Sequence, residues 1–327
     1  MPRLIIVTGA GSGIGRATAE RFAAHGDTVL LAGRRPDRLR ATADGLRATA
    51  DGLRATVDGL KTPAGGLTAS ADGPTAPADG FRATADGPTA PVGGLRVPAD
   101  AATAPADGLR APAEVPTAPP DGPDAASTRA DVHCVAADLS QEAGALRLRE
   151  HVEALGRPVD GVVCCAGAPA ATAGDGGLKS VAAEWLDAYG SNVLTAVLTV
   201  EALAPLLADG ASVVLYSSIA AYRGSAGSGA YGAAKSALHS YTHHLAARLG
   251  PRGVNVNAIA PGYVTDTEFF GDRMTPARES LLIRQTALGR PGTPADVAGL
   301  AHFLCSPQGA YITSQILQVN GGSQHGV

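Results

Sequence analysis

The chain has 327 residues, a formal net charge of −4 and a pI near 6.1, so it lacks the basic field with which a protein meets nucleic acid or an acidic membrane surface. No run approaches the length of an apolar membrane span, and Leu4 to Val7 is too short for the hydrophobic region of a signal peptide. A soluble, cytoplasmic protein with neither membrane nor nucleic-acid partner is expected. Cys134, Cys164, Cys165 and Cys305 show neither C-x-x-C spacing nor a disulfide framework and read as reduced core thiols.

In chain order, Leu4 to Val7 is a continuously apolar run, as in a strand buried on both faces of a parallel sheet. Thr8 to Gly15 turns the chain, Ile14 to Ala24 reads as a helix closed near Gly26, and Thr28 to Ala32 is the next strand. This is a βαβ unit. The alternation resumes with strand His133 to Ala137, helix Glu142 to Leu155, strand Gly161 to Cys165, and one long helix from Ala182 to Leu207. Strand Ser212 to Tyr216, a helix within Ser228 to Leu249, strand Val254 to Ile259, helix Pro294 to Leu304 and strand Ile316 to Val319 complete the pattern. Seven strands with intervening helices predict a single Rossmann-type α/β domain, a doubly wound parallel sheet with helices on both faces.

A tandem repeat of seven residues interrupts this order from Ala41 to about Ala130. Glycine marks it at Gly45, Gly52, Gly59 and on through Gly94, with Ala101 and Val115 substituting before Gly108 and Gly122 restore the register. A coiled coil is rejected, because each repeat offers at most one large apolar residue and nearly every one contains glycine or proline. Residues 41–130 are therefore expected to be a disordered insertion between a first Rossmann segment, 1–40, and the remainder, 131–327. The segment is either an expanded repeat without a role or a tether for another protein.

Two motifs carry chemistry. Thr8-Gly9-Ala10-Gly11-Ser12-Gly13-Ile14-Gly15 lies between a strand and a helix, where glycines admit a pyrophosphate to backbone N–H groups and a helix N-terminus. Tyr231 and Lys235 lie one helical turn apart, so the ammonium is expected to sit beside the phenol and favour its ionisation.

With these motifs, and Ser218 thirteen residues before Tyr231, the chain resembles the short-chain dehydrogenase/reductase family nearly everywhere outside the repeat, its 3-oxoacyl-carrier-protein reductases in particular. The resemblance implies catalytic roles for Asn192, Ser218, Tyr231 and Lys235. It places cofactor contacts at Thr8, Gly9, Ser12, Gly13, Ile14 and Gly15, at Asp138 and Leu139, at Ala166 and Gly167, at Tyr231 and Lys235, and at Pro261, Gly262, Val264 and Thr265. It also implies a homotetramer or homodimer. Cys164-Cys165 replace the family's paired asparagines before Ala166-Gly167, which removes side-chain hydrogen bonds and keeps the backbone that approaches the cofactor. Gly33 stands where NAD users often carry aspartate, and Arg34 where NADP users carry a basic residue, so NADP(H) is favoured over NAD(H).

The implied chemistry is hydride transfer to a carbonyl carbon, with Tyr231 as acid in reduction or base in oxidation, Lys235 holding the nicotinamide ribose, Ser218 on the substrate oxygen, and Asn192 positioning a water. The substrate is a small carbonyl or alcohol, a carrier-bound 3-oxoacyl group among the candidates. Oxidation of an alcohol or sugar is the alternative, and a nucleotide-binding scaffold the non-enzymatic rival. His239 and His243, four apart on one helix, read as packing or exposed residues rather than metal ligands, and no metal is expected. Asp266 and Glu268 read as loop carboxylates that are solvated or shape substrate access.

Overall fold

Alternation along β1, Leu4–Thr8, sorts the interior into two halves. Leu4 and Ile6 point into one apolar cluster, with Leu148, Val200, Leu203, Leu238 and Leu245; Ile5 and Val7 point into the other, with Phe22, Leu39, Val297 and Leu304. A strand with all five residues buried must have helices on both sides, and its unbroken apolar composition follows from that.

The computed structural model describes residues 1–61, 131–169, 176–224 and 228–326, with side chains as far as Thr49 in the first stretch. After β1 come α1 (Gly13–Ala24), β2 (Thr28–Gly33), α2 (Pro36–Lys61), β3 (Val132–Ala136), α3 (Glu142–Ala154) and β4 (Val159–Cys164). Then follow α4 (Gly177–Tyr189), a π-helical turn at Gly190–Leu194, α5 (Thr195–Leu203), β5 (Leu207–Tyr216), the short α6 (Ala220–Arg223) and α7 (Gly229–Leu249). The chain closes with β6 (Asn255–Pro261), α8 (Pro276–Arg284), α9 (Pro294–Leu304) and β7 (Ile316–Val319). Strand order is β3-β2-β1-β4-β5-β6-β7, and all pairings are parallel. The order reverses between β1 and β4, so the crevice at their C-terminal ends is where a Rossmann-type sheet receives a ligand. Among the described residues, no helix is long and apolar enough to cross a membrane.

Three expectations change. The helix after β2 does not give way at residue 41: α2 runs on through Lys61, and Leu39, Thr42, Ala43 and Leu46 are buried. Positions seven apart return to the same helical face, so Leu46 follows Leu39 against the sheet, while alanine, leucine and arginine outweigh one glycine per repeat. The expected disorder of the repeat otherwise falls on residues 62–130, which lie outside the described residues. The long helix from Ala182 to Leu207 is instead two helices joined by the π turn. Helix α8, capped by the Thr275 hydroxyl on the Arg278 N–H at 3.2 Å, was not expected. Cys164 and Cys165 face opposite ways, the first within one apolar cluster and the second packed against the other.

Candidate active site

Gly9 and Gly13 take positive φ of 66° and 51°, the conformation that brings the chain from β1 back over its own end. A Cβ on Gly9 would come within 2.9 Å of the Ala166 nitrogen, and one on Gly15 would strike the Gly9 carbonyl oxygen. The Thr8 hydroxyl accepts the Ala166 N–H at 3.1 Å, fastening the turn to the end of β4. No acidic residue lies in the first turn of α1, so its N–H groups and positive dipole end are open to an anion.

This turn forms one end of a cavity of about 1230 Å³. Arg34 and Asp138 line it beyond β2 and β3, and Leu139 follows. Asp138 accepts from the Ser140 hydroxyl at 2.7 Å and from the Ser140 N–H at 3.1 Å. Those bonds, chiefly the hydroxyl's, with a smaller pull from Arg34, hold its carboxyl below the usual range against a desolvation that opposes them.

Asn192, Ser218, Tyr231 and Lys235 line the same cavity. Asn192 is the buried residue of the π turn. Its Nδ2 donates to the carbonyls of Ala168 at 2.9 Å and Ala188 at 3.0 Å, while its Oδ1 is buried without a partner. Gly167 closes on this group: a Cβ there would lie 2.8 Å from Asn192 Oδ1 and 3.2 Å from Lys235 Nζ. Lys235 is buried and donates to the Tyr216 carbonyl at 2.8 Å, and its Nζ lies 5.9 Å from the centre of the Tyr231 ring.

The electrostatics differ from the expected pairing. Burial pushes the Tyr231 phenol up to about 12, and the offsetting pull comes from the Ser218 hydroxyl. Burial likewise draws Lys235 down to about 8, against a weaker opposite influence of Cys165 and Cys164. Lys235 is buried and Tyr231 partly so on the cavity wall, and desolvation disfavours the charged form of each.

Pro261, Gly262 and Val264 line the cavity, and Gly262 is pressed on Asn320, where a Cβ would come within 2.8 Å. Thr265 does not line it. Its hydroxyl donates to the Gly292 carbonyl at 3.3 Å, and Thr267 faces the cavity in its stead. Sequence reasoning also passed over Phe269, whose ring centre lies 5.3 Å from that of Tyr231, and Phe270 packed on Phe269 at 5.0 Å. His239 Nε2 lies 2.7 Å from Ser217 Oγ, bracing the residue before Ser218. Arg35 and Arg38 both pair with Glu268, at 2.7 and 3.2 Å. None of these had a local signal, because strand ends and loops distant in sequence bring them together.

Comparison with known proteins gives two family matches: a model described as short chain dehydrogenase over residues 3–62, and one described as enoyl-(acyl carrier protein) reductase over residues 122–324. Among curated proteins, the short-chain reductase protein NovJ of Streptomyces niveus is 40% identical over 115 residues, 34% of this chain and 44% of NovJ. Cyclohexanol dehydrogenase of Rhodococcus sp. (strain TK6) is 45% identical over 92 residues, 28% of this chain and 34% of that protein. The matched segments thus span less than half the length of these relatives. Of solved structures, a short-chain type dehydrogenase/reductase from Mycobacterium ulcerans is 24% identical with a TM-score of 0.69, covering 98% of this chain and 89% of that one. A blue fluorescent protein from a metagenomic library, in complex with NADPH, is 23% identical with a TM-score of 0.66, covering 99% and 98%. Both share the fold.

Proposed function

The chain belongs to the short-chain dehydrogenase/reductase family, and from that membership we propose that it is an NADPH-dependent reductase that converts a ketone or 3-oxoacyl carbonyl to a secondary alcohol. The observation that carries this reading is the meeting of Asn192, Ser218, Tyr231 and Lys235 in one cavity that runs on to the glycine turn and Arg34. A dinucleotide fits the residues present: a Cβ would fill the cradle at Gly9, Gly15 and Gly167, and a helix N-terminus and Arg34 await its anionic groups. Gly9, Ser12, Gly13, Ile14 and Gly15 would hold the pyrophosphate, Arg34 the 2′-phosphate, and Asp138 and Leu139 the adenine end.

The bound nicotinamide supplies the hydride that reduces the carbonyl carbon. Tyr231, kept protonated by burial, donates its proton to the carbonyl oxygen as negative charge develops there. Ser218 donates a hydrogen bond to that oxygen. Lys235 presents positive charge beneath the tyrosine, and the unpartnered Asn192 Oδ1 holds a water that returns a proton toward Lys235. Phe269 and Phe270 give the substrate an apolar wall. Arg273 and Arg278, which have no carboxylate partner among the described residues, would suit the phosphate of a carrier arm. Oxidation of a secondary alcohol is the second reading, favoured by the similarity to cyclohexanol dehydrogenase. A cytoplasmic homodimer or homotetramer belongs to the same proposal, supported by Leu178, Val181 and Trp185 exposed along α4.

The test is a panel of ketones, acyl thioesters and secondary alcohols assayed with both nicotinamide cofactors. Carbonyl reduction with higher kcat/KM for NADPH is expected, and preference for NADH would overturn the cofactor assignment. Tyr231→Phe should lower kcat by about 10²- to 10⁴-fold while leaving NADPH binding intact. Tight NADPH binding without any turnover in the native chain would favour a scaffold.

A further inference from the structure

The loop that follows β6 reaches the nucleotide end of the cavity, where the Glu268 carboxylate pairs with two arginines. Glu268 Oε2 accepts from Arg35 Nη1 at 2.7 Å, and its Oε1 lies 3.2 Å from Arg38 Nη2. Arg35 Nη2 donates in turn to Ser12 Oγ at 3.1 Å, in the glycine turn. One residue earlier, Thr267 lies over the same turn, close enough that a Cβ on Gly13 would come within 3.2 Å of its methyl group. One residue later, Phe269 meets the Tyr231 ring. The segment Thr267–Glu268–Phe269 therefore spans from the turn that takes the pyrophosphate to the proton donor.

The arginines after β2 and in the first turn of α2 already have carboxylates near them. Arg35 and Arg38 have Glu268, and Arg34 is within electrostatic reach of Asp138. Arg34, Arg35, Ser12 and Glu268 line one stretch of the cavity. A phosphate group arriving there brings more negative charge and more acceptor oxygens than a carboxylate, so it competes for the same guanidinium donors and repels any carboxylate that stays. A ribose hydroxyl does neither.

We propose that Glu268 determines cofactor specificity by standing on Arg35 and Arg38 in the place of the 2′-phosphate of NADP(H). The phosphate then displaces Glu268 and frees the loop that carries Phe269, whereas NAD(H) leaves the loop fastened. The phosphate thereby gains the Arg35 guanidinium, which lines the cavity, besides Arg34 and gives up part of that gain in releasing Glu268. This rests on the reading of the chain as a user of NADP(H).

Glu268→Gln keeps the shape and removes the charge, and at an exposed position it leaves the fold intact. Titration calorimetry on the full chain with 2′,5′-ADP and with 5′-AMP isolates the phosphate from the nicotinamide. The variant should bind 2′,5′-ADP about three- to tenfold more tightly and 5′-AMP within about twofold of the native value, the scale of an exposed two-arginine pair. Equal shifts for both probes, or weaker binding of 2′,5′-ADP, would overturn the proposal, the latter by making Glu268 a positioner of the arginines. Tryptic cleavage after Arg273 gives a second readout. It should be faster with 2′,5′-ADP than with 5′-AMP in the native chain, and equally fast with either in the variant; cleavage indifferent to the probe in the native chain counts against the proposal. If the native chain binds 2′,5′-ADP no better than 5′-AMP, the NADP(H) reading itself fails; if it discriminates and the variant keeps the same ratio, only the role of Glu268 fails.

Discussion

Lys235 lies close to Tyr231, and burial sets the charge of both: the lysine is drawn down to about 8 and the phenol raised to about 12. The order of these values fixes the sign of a pH effect. As pH rises through about 8, Lys235 loses its charge while Tyr231 still holds its proton, so the reductive kcat should fall above about 8 because the ammonium is lost. Lys235→Arg, whose guanidinium stays protonated, should lower the rate yet carry the falling limb to higher pH. A limb that stays put in that variant would assign it to another group. Tyr231 and Lys235 were legible because four residues on a helix fix a shared face. Ser218 and Asn192 needed a family pattern, and the lysine's own partner, the Tyr216 carbonyl, was illegible because it sits at the end of β5 and not on the helix that carries Lys235. Glu268 was read as a loop carboxylate, since nothing local shows that α2 brings Arg38 beneath it.

At the scale of elements, α9 was read residue for residue, because Pro294 opens the helix ahead of an apolar run, and the structure adds a reciprocal cap between Thr293 and Asp296. The π turn between α4 and α5 escaped, since one extra residue in a helical ring leaves the apolar pattern on either side almost unchanged. Where α9 packs on α1, His302 lies against Phe22 and His25, with ring centres 5.3 and 4.0 Å away. Burial first, then His25, Arg3 and Arg21, hold its imidazole down to about 4. The folded value is below the ordinary 6.5, so the unfolded chain takes up the proton first as pH falls. This contact therefore contributes fully above about 6.5 and is lost progressively toward about 4. Urea midpoints measured across that window should decline, and His302→Phe should flatten part of the decline. His133 and His239, held down by burial as well, would keep the rest. A variant with the native slope would show that the α1–α9 contact does not couple to the proton.

For the whole molecule, the decisive boundary is where the repeat stops contributing to the domain. Composition alone put that boundary at residue 41, because the copy at 41–47 is identical to the one at 48–54 that follows it. The sheet treats the first copy differently: Thr42, Ala43 and Leu46 are buried beneath it, and Arg47 Nη2 donates to the Val132 carbonyl at 2.9 Å, joining α2 to β3. A chain with residues 50–129 replaced by a short Gly-Ser linker keeps all of these contacts, and shortening a loop carries little entropic cost. It should keep kcat within about twofold and its Tm within about 4 °C, a change of no more than roughly 1 kcal/mol for a domain of this size. A replacement that begins at residue 41 removes Leu46, worth about 2–5 kcal/mol by itself, together with two further buried side chains, and should not yield a cooperatively folded protein. Leu46→Ala in the full chain separates packing from length, and its loss of stability should fall in the same range of about 2–5 kcal/mol by urea unfolding. If the 50–129 replacement unfolds normally but loses turnover, the repeat takes part in function, and its role as a tether becomes the reading to pursue. If turnover survives and only the replacement from 41 fails, one copy of the repeat belongs to the fold and the rest is dispensable for catalysis.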